Sequence, residues 1–187
     1  MKIKKLNFSD WNKKLAIYGG KKTITKKFKK HQSIGKEEIN SSIKTLRKGI
    51  LSGFIASNSP NFYGGKNVKK FENNIKKYFK VKYAITVNSW TSGLITAIGA
   101  CNFEPGDEII VSPFTMVATA TSILHWNLIP VFADIDKNNF CLDPIKVEKL
   151  ITKKTRAIMI VDINGHPTPI EKFKILAKKY KLKLIID

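Results

Sequence analysis

Four polar side chains crowd one turn of this chain: Asn88, Ser89, Thr91 and Ser92 all lie within residues 88–93. These residue types cap helices, because their side-chain oxygens accept from the orphan backbone N–H groups of a first turn. The same N–H groups, with the helix dipole behind them, can instead face an anion. A phosphate placed there gains backbone donors and the hydroxyls of Thr91 and Ser92 without a lysine. On the residues alone, an ordinary capped helix explains the turn equally well. Two other places hold candidate chemistry: the turn Pro113-Phe114-Thr115-Met116, and the acid Asp187 after the apolar run 184–186.

The 88–93 turn needs a strand before it and a helix after it. Ala84, Ile85, Thr86 and Val87 favour an extended chain, whereas 94–100 is apolar, contains alanine and lacks proline. From 83 onward the two patterns alternate. Strands are predicted at 83–87, 108–112, 129–134, 156–162 and 183–187, and helices near 92–101, 116–126, 144–151 and 169–180. The strands are short, Val/Ile-rich and almost continuously apolar, as strands buried on both faces must be. The fold class is therefore α/β, a mainly parallel sheet with helices on both faces. Ligands of such sheets collect beyond the carboxyl ends of the strands, where the 88–93 turn, the 113–116 turn and Asp187 all fall.

Upstream, residues 1–35 are charged and weakly periodic and read as an N-terminal arm, leaving 36–187 to carry the fold. Ile39, Ile43, Leu46 and Ile50 recur at the spacing of one helix face, from Gly35 to a stop at Gly53. A Gly-, Ser-, Asn- and Pro-rich loop spans 53–65. Val68, Phe71, Ile75 and Phe79 mark a second amphipathic helix, and both helices are expected to cover the sheet.

Composition narrows the function. A chain of 187 residues with 43% hydrophobic content can build one substantial core. No apolar run reaches the length of a membrane span, and the Lys-rich start is followed by no signal-peptide core, so the expected compartment is the cytoplasm, away from membranes. Cys101 and Cys141 lie far apart with no CxxC or histidine partner, which points to reduced thiols and no metal. The net charge of +20 raises the possibility of nucleic-acid binding. Against it, Arg47 and Arg156 are the only arginines, and base readout leans on Arg forks. The lysines are read as a solvated surface, with one local excess at 21–30, KKTITKKFKK.

Dinucleotide, P-loop, zinc-protease and hydrolase signatures are all missing. His31, His125 and His166 have no mutual spacing suited to a metal. His166, in the Gly165-His166-Pro167 turn past a strand end, is a candidate for lining a site.

At this point the order of segments becomes informative: LAIYGGKKTI, GG..V..FE, YAITVNSWTSGL, PGDEIIVSPFTMVATA, IPVFADID, LDP, TRAIMIVDINGHP and LAKKYKLKLIID. Together they resemble the DegT/DnrJ/StrS family of pyridoxal-phosphate (PLP) enzymes, most of them aminotransferases acting on nucleotide-linked keto-sugars. The resemblance implies an incomplete fold-type I, aspartate aminotransferase-like large domain. It assigns the cofactor phosphate to the Ser89-Trp90-Thr91-Ser92 turn, with Thr91 and Ser92 as the holding residues. It places Met116 where the family usually stacks an aromatic ring on the pyridine; a thioether can pack there through its polarizable sulfur. It makes Asp187 the acid that pairs with the pyridine nitrogen and keeps it protonated. Where the family usually has glycine the chain has Trp90, whose bulk either alters the substrate pocket or packs outward.

The resemblance also implies what lies beyond Asp187: the rest of the large domain, the Schiff-base lysine on a later loop, and a smaller C-terminal domain. The 187-residue chain is accordingly expected to be an N-terminal fragment, inactive in amino transfer because that nucleophile is missing. The implied full-length enzyme is a homodimer taking a keto-sugar and an amino-acid donor. Two alternatives stay open: a sugar dehydratase of the same family, which keeps PLP, and a basic, non-enzymatic α/β module binding nucleic acid or another polyanion.

Overall fold

The computed structural model describes residues 15–51, 53–54 and 56–187. Residues 1–14 of the expected arm lie outside the described residues. The chain divides into two compact units, Met1–Gly64 and Gly65–Asp187.

In the first unit a short 3-10 turn, Ala16–Tyr18, closes on Gly19 at φ 90°, a conformation that favours glycine. Helix α1, Lys36–Arg47, opens where the Gly35 N–H donates to the Glu38 carboxylate at 2.7 Å. That bond holds the Glu38 carboxyl below its ordinary range. The helix ends short of Ile50 because Gly49 turns to φ 69°.

The second unit carries the sheet. Helices α2 (Lys66–Phe79) and α3 (Trp90–Gly99) precede strand β1 (Glu108–Val111). There follow α4 (Val117–Leu124), β2 (Ile129–Phe132), α5 (Pro144–Lys149), β3 (Thr155–Ile160), α6 (Ile170–Tyr180) and β4 (Lys183–Ile186). The strands lie in the order β2-β1-β3-β4, and every pairing is parallel.

Pleating explains the layers. Successive side chains of a strand point to opposite faces, so one continuous apolar run feeds two cores. Ile109 and Val111 of β1, with Ala157 and Met159 of β3, join Leu94 and Ile98 of α3 and Ile123 of α4 on one face. Ile110, Ile158 and Ile160 point the other way, against Val147 of α5 and Phe173 and Leu176 of α6. The expected parallel sheet with helices on both faces is thus the observed one.

Two expectations fail. The strand expected at 83–87 does not form. Its residues run without a ladder, and the Thr86 backbone N–H and hydroxyl both donate to Glu72 Oε1 at 2.9 Å. A β-former becomes a strand only when a neighbour supplies the ladder, and none does so among the described residues. Helix α2 accordingly does not cover the sheet. None of its residues is buried, and Phe71, Glu72 and Ile75 line a groove with 84–87 instead.

Candidate functional site

Three loops meet at the carboxyl edge of the sheet around Asp187. The Asp187 backbone extends the β3–β4 ladder: its N–H donates to the Ile160 carbonyl at 2.8 Å, and its carbonyl accepts from the Asp162 N–H at 3.1 Å. The carboxylate is therefore carried on the sheet itself rather than on a free loop. Sites supported in this way hold their geometry better than loop sites do.

Both carboxylate oxygens are occupied by donors from helix N-termini. Oδ2 accepts from the Thr119 hydroxyl at 2.5 Å, and Oδ1 accepts from the Trp90 indole N–H at 2.5 Å. Thr119 lies in the first turn of α4 and is fully buried. Its oxygen also lies 2.9 Å from the Thr115 hydroxyl. A hydroxyl has one proton, and that of Thr119 is committed to Asp187, so Thr115 is the donor in this pair. The result is a directed chain from Thr115 through Thr119 to Asp187.

The turn before α3 is built as its residue types imply. Ser89, extended at φ −156°, caps the helix by accepting from the Ser92 N–H at 3.2 Å, and the two serine oxygens lie 3.0 Å apart. The Gly93 N–H turns back to the Ser89 carbonyl at 3.1 Å. The backbone N–H groups of Trp90 and Thr91 and the Thr91 hydroxyl take no partner among the described residues. Free donors at the positive end of a helix dipole are the chemistry that an anionic oxygen cluster requires. On that donor set, and with a carboxylate fixed beside it, the edge fits a ligand that is anionic at one end and an N–H donor at the other.

The structure brings Thr91, Ser92 and Asp187 into one region through the Trp90–Asp187 bond. Met116 stands at the N-cap of α4 with its side chain 72% exposed, three residues from Thr119. His166 is exposed on the loop after β3, where its carbonyl accepts from the Cys141 thiol at 3.6 Å; its ring bonds nothing in the Asp187 cluster among the described residues. Among the described residues no group of three or more His, Cys, Asp or Glu is placed to hold a metal ion. No helix among them is long and apolar enough to cross a membrane.

Sequence reasoning did not foresee the bonds of Thr119 and Trp90 to Asp187. Thr119 was legible only as a hydroxyl four residues after Thr115, which lies before the N-cap of α4. Trp90 carried no signal for its bond, because its partner lies 97 positions away.

Comparison with known proteins identifies the relatives of this chain. Residues 53–187 match the model of the DegT/DnrJ/EryC1/StrS aminotransferase family. The spore coat polysaccharide biosynthesis protein SpsC of Bacillus subtilis is 36% identical over 154 residues, covering 82% of this chain and 37% of that protein. The 3-oxo-glucose-6-phosphate:glutamate aminotransferase of the same organism is 29% identical, covering 82% of this chain and 33% of that protein. Among solved structures, NtdA of Bacillus subtilis with bound cofactor PMP superposes with a TM-score of 0.71 at 27% identity, covering 87% of this chain and 37% of that one. The chain thus spans little more than a third of the length of the relatives it matches.

Proposed function

Because the chain belongs to the DegT/DnrJ/EryC1/StrS aminotransferase family, we propose that it is the part of a PLP-dependent sugar aminotransferase that seats the cofactor. The observation that carries this reading is the pairing of unpartnered first-turn donors on α3 with a carboxylate, Asp187, anchored beside them. PLP has a phosphate at one end and a protonatable ring nitrogen at the other. When bound, its ring accepts the electron pair that a substrate carbon is left with on losing a proton.

The chain's own residues do the rest. The N–H groups of Trp90 and Thr91 and the hydroxyls of Thr91 and Ser92 bind the phosphate. Asp187 would hold a proton on the ring nitrogen, and the donors Trp90 and Thr119 keep its carboxylate oriented. Met116 borders this region and offers a polarizable thioether to a flat ring. His166 is proposed as a residue at the substrate end of the loop edge.

The amino acceptor proposed is a keto-sugar, nucleotide-linked in the family's usual manner, and the donor an amino acid such as glutamate. The SpsC and 3-oxo-glucose-6-phosphate relatives support a sugar substrate class. The working assembly proposed is a cytoplasmic homodimer, which light scattering of the protein expressed from its whole gene tests directly.

The deciding experiment titrates that same protein with PLP and follows the visible absorbance. A saturating band is expected, with Thr91→Val lowering affinity for both PLP and inorganic phosphate, and Asp187→Ala lowering affinity for PLP alone. No band in the folded protein, together with salt-sensitive binding to generic DNA, would replace this reading with that of a basic binding module.

A further inference from the structure

Trp90 stands where a bulky residue has no evident packing duty. The residue is 61% exposed, so it contributes little apolar burial to the fold. Yet its indole is placed closely. The N–H reaches Asp187 Oδ1, and the ring lies over Gly93, one turn further along α3. A Cβ on Gly93 would come within 3.3 Å of Trp90 Cε3 and 3.5 Å of Cζ3, with Val87 Cγ2 also 3.5 Å away. The missing side chain at 93 therefore lets the ring lie slightly closer to the helix than a methyl group would allow. A large residue at 90 and an absent side chain at 93 form one device.

We infer that Trp90, seated on Gly93, is a positioning residue that orients the Asp187 carboxylate toward the ring nitrogen of the cofactor. This rests on the PLP reading above. The geometry is consistent with it, because a carboxylate oxygen has two acceptor sites: the indole takes one on Oδ1 and leaves the second for an incoming N–H. Thr119 on Oδ2 prevents rotation in the other sense. With donors from two different helices, the plane of the carboxylate is set before the ligand arrives. A carboxylate held by one donor alone would have to be ordered on binding, at a cost in affinity.

The test uses the protein expressed from its whole gene, with PLP and inorganic phosphate as probes. Trp90→Phe keeps a ring and removes the N–H; Trp90→His returns an N–H to the position. Gly93→Ala leaves Trp90 in place but shifts its ring by a few tenths of an ångström, while improving helix propensity.

The expected result is a fall of about tenfold in PLP affinity for Trp90→Phe, on the scale of one hydrogen bond to a charged group, and a smaller fall for Gly93→Ala, which shifts the indole without removing its N–H. The visible band should change its position or pH dependence in both variants, phosphate affinity should stay within about twofold of the parent, and Trp90→His should recover part of the loss. If Trp90→Phe leaves the band and the PLP affinity unchanged, the inference is wrong and the cofactor reading survives. Equal losses for phosphate and PLP also overturn it, since Trp90 would then only shape the helix N-terminus. A parent protein that binds phosphate but shows no band overturns the cofactor reading itself.

Discussion

The hydroxyl of Thr119, buried in the first turn of α4, donates to Oδ2 of Asp187 across 68 positions of sequence. One bond thus fixes the helix after β1 to the end of β4. Replacing Thr119 by Val keeps the shape, but it removes the donor and leaves Thr115 without its acceptor. We expect a loss of about 1–3 kcal/mol, the cost of an unsatisfied polar group in a site of this kind. Urea unfolding measures it, and an unchanged midpoint would mean that water takes the place of the hydroxyl.

A second glycine of α3 carries a tryptophan, with a different consequence. The Trp126 indole donates to the Ile95 carbonyl at 2.8 Å, and a Cβ at Gly99 would lie 2.3 Å from its Cζ2. Gly99→Ala should therefore destabilise by about 1–3 kcal/mol through overpacking, despite the gain in helix propensity. Gly93→Ala meets its tryptophan at 3.3 Å, where a shift of a few tenths of an ångström suffices. Thermal melts of the two variants should move in opposite directions, or differ clearly in size.

Phe173 is the largest fully buried side chain among the described residues and fills the space between α6 and the sheet. Phe173→Ala is expected to cost about 3–5 kcal/mol, which exceeds a large share of a typical domain's stability. Denaturant titration followed by circular dichroism gives the value. A cost below about 1 kcal/mol would show that this core collapses to fill the gap.

The two thiols should differ in reactivity. Burial raises the Cys101 thiol above its ordinary value, and the nearby charge of Lys183 only partly opposes this. A raised value means less thiolate at a given pH, so the rise of Cys101 reactivity with pH should come later than that of a free thiol. Cys141 is buried and should react only on unfolding. Disulfide-exchange rates measured on Cys101→Ser and Cys141→Ser variants between about pH 7 and 10 separate the two thiols.

Most of the large unit was legible because it rests on local pattern. The apolar runs 109–111 and 157–160 announce strands buried on both faces, and both feed two cores as a pleat requires. The oxygens of Ser89 and Ser92 announce a helix start, and the cap forms. The expectation for 83–87 failed for the same reason that the others succeeded. Its propensity was read locally, but a ladder is a relation between segments, and Thr86 found Glu72 instead.

By itself, then, the sequence determined which segments could be helix or strand, the parallel class of the sheet, the family, and the presence of an anion-ready turn and a strand-end acid. All but the family depend on spacing and residue type within about twenty positions, and the family was read from the order of such segments along the chain. Only the tertiary structure decided that Trp90 turns to Asp187, that Thr119 takes the other oxygen, and that Gly93 makes room for the indole. The two bonds to Asp187 join residues 97 and 68 positions apart, in directions that no local periodicity encodes, and they exist only once the helices have packed onto the sheet.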